Sequence, residues 1–143
     1  MHIARKPPLA DVRSLLSSAQ LPVADLTPGH MEHFFGVWDD SGLNGVVGIE
    51  LLGGDLALLR SLVVVASKRC SGVGSALLVH AEHYAAGKGA RSICLLTTTA
   101  EPYFEKHGYG ALSREAAPDA IRNSAEFASL CPESAVLMMK HIS

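Results

Sequence analysis

The stretch Leu62-Val-Val-Val-Ala-Ser-Lys-Arg69-Cys-Ser-Gly72-Val-Gly74-Ser-Ala-Leu77-Leu78 changes character twice within one short span. It opens as a β-branched run suited to a buried strand, passes through a polar turn, and continues at helical spacing. Val73, Ala76, Leu77, His80, Ala81 and Tyr84 fall on one helical face, and Gly87-Lys-Gly89 ends the pattern. A helix start presents backbone N–H groups with no acceptor inside the helix, at the positive end of its dipole, so it can hold an anion. Gly72 and Gly74 would let a phosphate approach the main chain, and Arg69 would add a charged donor. On spacing alone the turn is either such an anion cradle or a plain tight turn. Leu77 stands where the third glycine of a dinucleotide fingerprint would be, and no Gly-Lys-Ser/Thr follows. Both absences disfavour dinucleotide and nucleoside-triphosphate chemistry.

Upstream of this stretch, residues 1–5 read as a short strand ended by Pro7-Pro8, and 9–20 as a helix carrying Leu9, Val12, Leu15, Leu16 and Ala19. Thr27-Pro28 predicts the cap and first position of a second short helix. Residues 34–38 read as a strand, and 44–52 and 56–66 as two strands around Gly53-Gly-Asp55, a hairpin signal. Downstream come a strand over 91–98, a helix over 101–107 closed by Gly108, and a strand over 111–114. A helix over 118–130 begun by Pro118 and a strand over 135–141 complete the chain. This order predicts one α/β domain over residues 1–143. Its mixed sheet would be antiparallel in the N-terminal half, with helices on both faces.

The 143 residues are 48% hydrophobic and 18% charged, against a usual ~25% charged, which is a core-forming composition. A net charge of −2 gives no basic footprint, so no nucleic-acid partner is expected. No apolar run approaches the ~20 residues of a membrane span, and the densest, 56–66, is interrupted by Arg60 and Ser61. The N-terminus lacks an apolar signal core, so a cytoplasmic protein without a membrane partner is expected. Cys70, Cys94 and Cys131 form no CxxC pair, which speaks against a disulfide framework or a zinc site and fits a reducing compartment. His30-x-x-His33 and His80-x-x-His83 have the spacing of metal-ligand pairs. No carboxylate or third ligand is placed with them, so a packed or solvated face without metal is expected.

Arg69-x-x-Gly72-x-Gly74, preceded by Leu62-x-Val64 and followed by a long helix, resembles the acyl-CoA motif of the GNAT N-acetyltransferases. Ala100-x-x-Tyr103-Phe104-x-x-x-Gly108-Tyr109 resembles the second motif of that family. The resemblance implies acetyl-CoA as cosubstrate and a splayed strand pair, with the strand of Leu62 and Val64 parting from 91–98 to admit the pantetheine arm. It implies cofactor contacts from Leu62, Val63, Val64, Arg69, Cys70, Ser71, Gly72, Val73, Gly74, Ser75, Thr97 and Phe104. Ala66 and Lys68 stand where the family often has a proline and a large residue. Phe104 occupies the place of the tyrosine that usually protonates the leaving thiolate, and Tyr103 is turned away from that place by about 100°. Thr98, another hydroxyl or water would then supply the proton, or the dipole of the helix beginning near Glu101 would stabilise the thiolate. A closer likeness is carried by Thr97-Thr-Thr-Ala-Glu-Pro-Tyr-Phe104, Arg114-Glu-Ala-Ala-Pro-Asp-Ala-Ile-Arg122 and Glu126-Phe-Ala-Ser-Leu-Cys-Pro-Glu-Ser-Ala-Val-Leu-Met138. These segments resemble the arsenical-resistance N-acetyltransferases, and the inserted helix is similar to that of N-acetylglutamate synthase domains. Both imply a small amino-acid-like amine acceptor, an organoarsenical among the candidates; a homodimer is left open.

Amide formation from a thioester needs a neutral amine, a stabilised oxyanion and an exit for the thiolate. The oxyanion falls to a strand amide at Val63 or Val64. Glu50, inside an apolar run, is the candidate base; the alternative is a glutamate on the open face of an antiparallel sheet. Arg60, followed by Ser61, stands in an interior strand, where an unpaired charge is costly. Its partner is either Glu50 or an acceptor carboxylate, and the resemblance places this position at the acceptor. A three-residue loop at Gly53-Gly-Asp55 would set Leu52 opposite Leu56 and put Glu50 and Arg60 on one face; a two-residue loop would separate them. Arg122 and Glu126, one helical turn apart, form either a surface pair or part of the acceptor mouth. No residue reads as an activated nucleophile, so direct transfer in a ternary complex is expected. The competing class is a non-catalytic acyl-CoA-binding sensor module, which Phe104 in the tyrosine position favours.

Overall fold

The computed structural model describes residues 3–21, 23–40, 42–53, 55–68, 72–98, 100–124 and 135–142. Seven strands are hydrogen-bonded in the order β1-β2-β3-β4-β5-β7-β6. They are β1 (Ile3–Arg5), β2 (Phe34–Asp39), β3 (Gly42–Leu51), β4 (Leu56–Val64), β5 (Ser92–Thr97), β6 (Gly110–Leu112) and β7 (Val136–His141). The helices are α1 (Leu9–Ser18), α2 (Val73–Gly87), α3 (Glu101–Lys106) and α4 (Asp119–Arg122). Contacts divide the chain into two compact units, Met1–Glu50 with Leu59–Tyr84, and Leu51–Leu58 with Ala85–Ser143.

In the first unit β2 and β3 pair antiparallel, with Phe34 opposite Gly48, Phe35 opposite Val47 and Gly36 opposite Val46. Alternation along a strand sends Phe34 and Val46 to one side of the sheet and Phe35 and Val47 to the other. Helix α1 covers the first side, where Val12, Leu16, Leu26, Met31, Phe34 and Val46 form a buried core with Val63 packed against it. Helix α2 covers the second. A β-carbon at Gly45 would touch Leu77 and Val73, and the Phe35 ring meets His80 and Tyr84 edge-on, 4.7 and 4.9 Å between centroids. The expected helices on both faces are therefore present in this unit. Strand β1 extends the sheet beside β2, with Ile3 opposite Val37.

The second unit begins with the first residues of β4, which run parallel to β5: Leu56 opposite Ser92, Ala57 opposite Ile93, Leu58 opposite Cys94. A parallel pair needs a long crossover, and α2 lies on that connection. Strand β7 then pairs antiparallel with both β5 and β6, Met139 standing opposite Cys94 and Gly110. Leu58, Cys94, Ala117, Ile121 and Leu137 form the core here. Burial pushes the Cys94 thiol up to about 11, so it packs as a small apolar group and is no nucleophile. Among the described residues no helix is long and apolar enough to cross a membrane.

Four local expectations differ from the structure. The helix predicted from Thr27-Pro28 is a single 3-10 turn, His30–His33, because Phe34 is already taken into β2. Strand β4 ends at Val64, and Ala66–Lys68 forms another 3-10 turn closed by the Lys68 N–H on the Val65 carbonyl at 2.9 Å. Arg114 leaves β6 for a 3-10 turn that the Ser113 hydroxyl caps by accepting from the Glu115 N–H at 3.2 Å. The helix expected over 118–130 is cut short: α4 ends at Arg122 with Asn123 as its C-cap, where the Arg122 side chain donates to the Glu115 carbonyl; Glu126 and Cys131 lie outside the described residues.

Gly48 has no side chain for a reason of space: a β-carbon there would stand 2.3 Å from the ring of Phe34, which is fully buried under α1. Gly48→Ala is expected to cost about 1–3 kcal/mol, the usual range for overpacking, read as a lower chemical-denaturation midpoint. Combining it with Phe34→Leu should cost less than the two changes added separately, since the second removes the atoms the first collides with.

Candidate functional site

The hairpin between β3 and β4 closes with the Leu52 N–H on the Leu56 carbonyl at 3.1 Å, so these residues face each other across a three-residue loop. Counting outward, Glu50 and Arg60 share a face of the sheet. At the far end of the pair the Val65 N–H reaches the Asn44 carbonyl at 2.8 Å. From Leu52 to Asn44 is eight steps along β3, but from Leu56 to Val65 is nine along β4. Strand β4 therefore holds one extra residue, a β-bulge. Ser61 marks it: its φ of 62° is in the left-handed region, which a non-glycine residue adopts inside a strand only under constraint. The bulge resets the alternation, so Arg60 and Val63, three residues apart, both belong to the α1 side.

The Arg60 side chain has no exposed surface, while Asp25 and Glu50 keep 17% and 19% of theirs. Its Nη1 donates to Asp25 Oδ2 at 2.5 Å and to Glu50 Oε2 at 2.8 Å, and its Nη2 to Asp25 Oδ1 at 3.0 Å. The Nε–H donates to the Ser61 hydroxyl at 3.1 Å. Of the two partners the sequence left open for Arg60, the fold supplies Glu50, and it adds a second carboxylate. Asp25 is held in place by its neighbour Leu26, whose side chain sits in the α1 core and whose carbonyl accepts from Arg13 Nη2 at 2.8 Å. Burial alone would raise the Asp25 carboxyl. The hydrogen bonds and positive charge of Arg60, with smaller help from a backbone hydrogen bond and from His30, outweigh it and hold the group below its ordinary value of 3.8.

Ligand atoms of Asp25, His30 and Glu50 all lie within 4.8 Å of one another. The Arg60 guanidinium already takes the cationic place between the two carboxylates, and His30 Nδ1 accepts the Thr27 N–H at 3.1 Å. His30 thus has carboxylates beside it, which the sequence reading did not expect, because Asp25 and Glu50 are brought to it by the fold; the other noted histidines have other neighbours. His33 Nδ1 lies 2.6 Å from the Tyr84 hydroxyl, and His80 packs on Phe35. Burial, then the charge of His83, lowers the His80 pKa.

Beyond β4 the chain reaches Gly72, whose φ of 89° only glycine adopts readily and whose carbonyl accepts the Ala76 N–H at 3.0 Å, the first bond of α2. Val73 is buried and Gly74 and Ser75 are half-buried in the first turn; Leu62 and Val63 are half-buried in β4. Arg69, Cys70 and Ser71 lie outside the described residues. Since the Val65 N–H points to β3, strand alternation turns the Val64 N–H toward the opposite edge of β4. In the second unit, the Thr97 hydroxyl accepts the Ala100 N–H at 3.0 Å and Thr98 is exposed just past β5. Phe104 is buried edge-on against Tyr103 and Tyr109, with centroids 5.3 and 5.7 Å away. Glu50, Arg60 and Ser61 are thus brought together, by the loop length that the sequence left open. Asp25 was not legible: it is one acid in a loop 35 positions from its partner.

Residues 30–110 match the family model described as an acetyltransferase (GNAT) domain. Among solved structures, N-acetylglutamate synthase from Neisseria gonorrhoeae, complexed with coenzyme A and L-arginine, superposes with a TM-score of 0.82 at 18% identity. The match covers 99% of this chain and 33% of that one, so the chain spans about a third of its length. Rv2747 from Mycobacterium tuberculosis, in complex with CoA and NLQ, matches over 100% of both chains with a TM-score of 0.79 at 16% identity. An aminoglycoside 6'-N-acetyltransferase complexed with coenzyme A matches over 100% of this chain and 98% of that one, with a TM-score of 0.75 at 20% identity. At these identities the likeness is one of fold. No curated protein matches the chain by sequence.

A carboxyl depressed in the fold adds stability above its unfolded pKa and loses it as pH falls through the folded value. Asp25→Asn should therefore melt below wild type near neutral pH, and the gap should close as pH drops below about 4. Thermal melts from about pH 7 to about pH 2 read this directly; a constant gap across the range would contradict the Asp25–Arg60 coupling.

Proposed function

This chain belongs to the acetyltransferase (GNAT) family, and from that premise we propose that it moves the acetyl group of acetyl-CoA to the primary amine of a small acceptor. The transfer is direct, in a ternary complex, in the cytoplasm. The observation that carries this reading is the junction of β4 and α2. There a strand leads through Gly72, at a φ of 89°, into the N-terminus of a 15-residue helix. The first-turn amides of α2 at Val73 and Gly74 suit a diphosphate; Arg69, Cys70 and Ser71, the other donors expected from the sequence, lie outside the described residues.

Glu50 is the proposed base. One carboxylate oxygen is anchored on Arg60, and part of the side chain remains accessible. It takes the proton from the acceptor ammonium; the neutral nitrogen then attacks the thioester carbon and a C–N bond forms. The Val64 N–H is the proposed donor to the oxyanion that develops. The C–S bond breaks as the carbonyl re-forms, and the second proton shed by the nitrogen passes through water or a hydroxyl to the leaving coenzyme A thiolate, since Phe104 has no hydroxyl to give one. That missing hydroxyl is also what favours the second reading, a non-catalytic acyl-CoA-binding module.

Thermal shift with acetyl-CoA, and thiol release across an amine panel that includes amino acids and organoarsenicals, separate the two readings. Gly72→Val should raise the acetyl-CoA KM about tenfold or more, and an unchanged KM would contradict the junction. Glu50→Gln should lower kcat by about 10²–10⁴ while the thermal shift persists. A shift in the wild type without thiol release on any amine would favour the binding module.

A further inference from the structure

We infer that Asp25 is the specificity determinant of the acceptor site: by occupying the Arg60 fork, it makes the site select amines that carry no neighbouring carboxylate. This rests on the acetyl-transfer reading, in which Glu50 and Arg60 face the acceptor. An arginine in that position would ordinarily be the group that grips an acceptor carboxylate, through two parallel N–H donors in a plane. Here the fork is filled from within. Asp25 accepts from both Nη1 and Nη2, at 2.5 and 3.0 Å, and Glu50 accepts a further Nη1 proton at 2.8 Å.

Burial makes the arrangement directional. The guanidinium has no exposed surface, whereas both carboxylates keep some, 17% for Asp25 and 19% for Glu50. An approaching molecule meets the acids before the base. One guanidinium against two carboxylates leaves these three side chains at −1, and His30, within 4.8 Å of both acids, has its Nδ1 on the Thr27 N–H. An ammonium is drawn to such a surface. A carboxylate is repelled by it and would have to displace Asp25 from a bidentate pair to reach Arg60. The Asp25 loop is anchored by Leu26 in the α1 core and by Arg13 on the Leu26 carbonyl, so displacement would disturb packing as well as charge.

Matched acceptor pairs test this: agmatine against arginine, putrescine against ornithine, tyramine against tyrosine. The wild type should show a kcat/KM at least about tenfold higher for the decarboxylated member of each pair. Asp25→Asn keeps the shape but has one acceptor oxygen and no charge, so half of the fork opens. In this variant the ratio should fall by about tenfold, mainly through a lower KM for the amino acids, with the acetyl-CoA KM unmoved. A merely structural role for Asp25 would lower both members together and leave the ratio where it was, which overturns the inference. So does a wild type that prefers the amino acids or treats the pairs alike, a measurement that stands even if the variant does not fold. Absence of thiol release with every amine would instead overturn the acetyl-transfer reading, and this inference with it.

Discussion

A guanidinium shut away from water must draw its counter-charges from the fold itself, and Arg60 draws them from two separate parts of the chain. Glu50 reaches it because the β3–β4 loop has the length that sets both residues on one face. Asp25 reaches it because Leu26 is locked into the core under α1. Removing either carboxylate would leave part of a buried charge uncompensated, whereas the two carboxylates together accept three N–H donations from one side chain and the Ser61 hydroxyl a fourth. The packing of α1, the register of the hairpin and the pairing of Arg60 are therefore conditions on one another.

The same strand carries the second constraint. One extra residue in β4, held at Ser61 in a left-handed conformation, lets Arg60 and Val63 both serve the α1 side. Past the bulge the strand passes through Val64 toward Gly72 and the start of α2. A regular strand would have put Val63 on the other face and removed an apolar contact from the α1 core. The strain at Ser61 is thus compensated locally, by the Nε–H of Arg60 on its hydroxyl and by the burial of its neighbours.

Much of this was open to inspection in the residue order. The strand, polar turn and glycine-headed helix over 62–78 were legible because β-branched residues, glycines and 3.6-residue periodicity act within a few positions of one another. The shared face of Glu50 and Arg60 was legible as a condition on loop length, and the Leu52–Leu56 hydrogen bond met the condition. Thr27-Pro28 misled, because local capping preference competes with strand pairing and Phe34 is worth more in β2 under α1 than in another helical turn. The bulge had no local signal: Ser61 is an ordinary strand residue until both ends of the register are known.

What the sequence determined by itself was the order of elements, the antiparallel meander followed by a parallel crossover, and the family to which that order belongs, since each follows from contacts between near neighbours or from motif spacing. What only the tertiary structure decided was the charge that surrounds Arg60. Asp25 and Arg60 meet because α1 docks on the sheet, and no periodicity links positions so far apart. An arginine read alone is a cation seeking a partner; buried against two carboxylates, it becomes part of a group with the opposite net charge, because charge is a property of the assembled group and not of one residue.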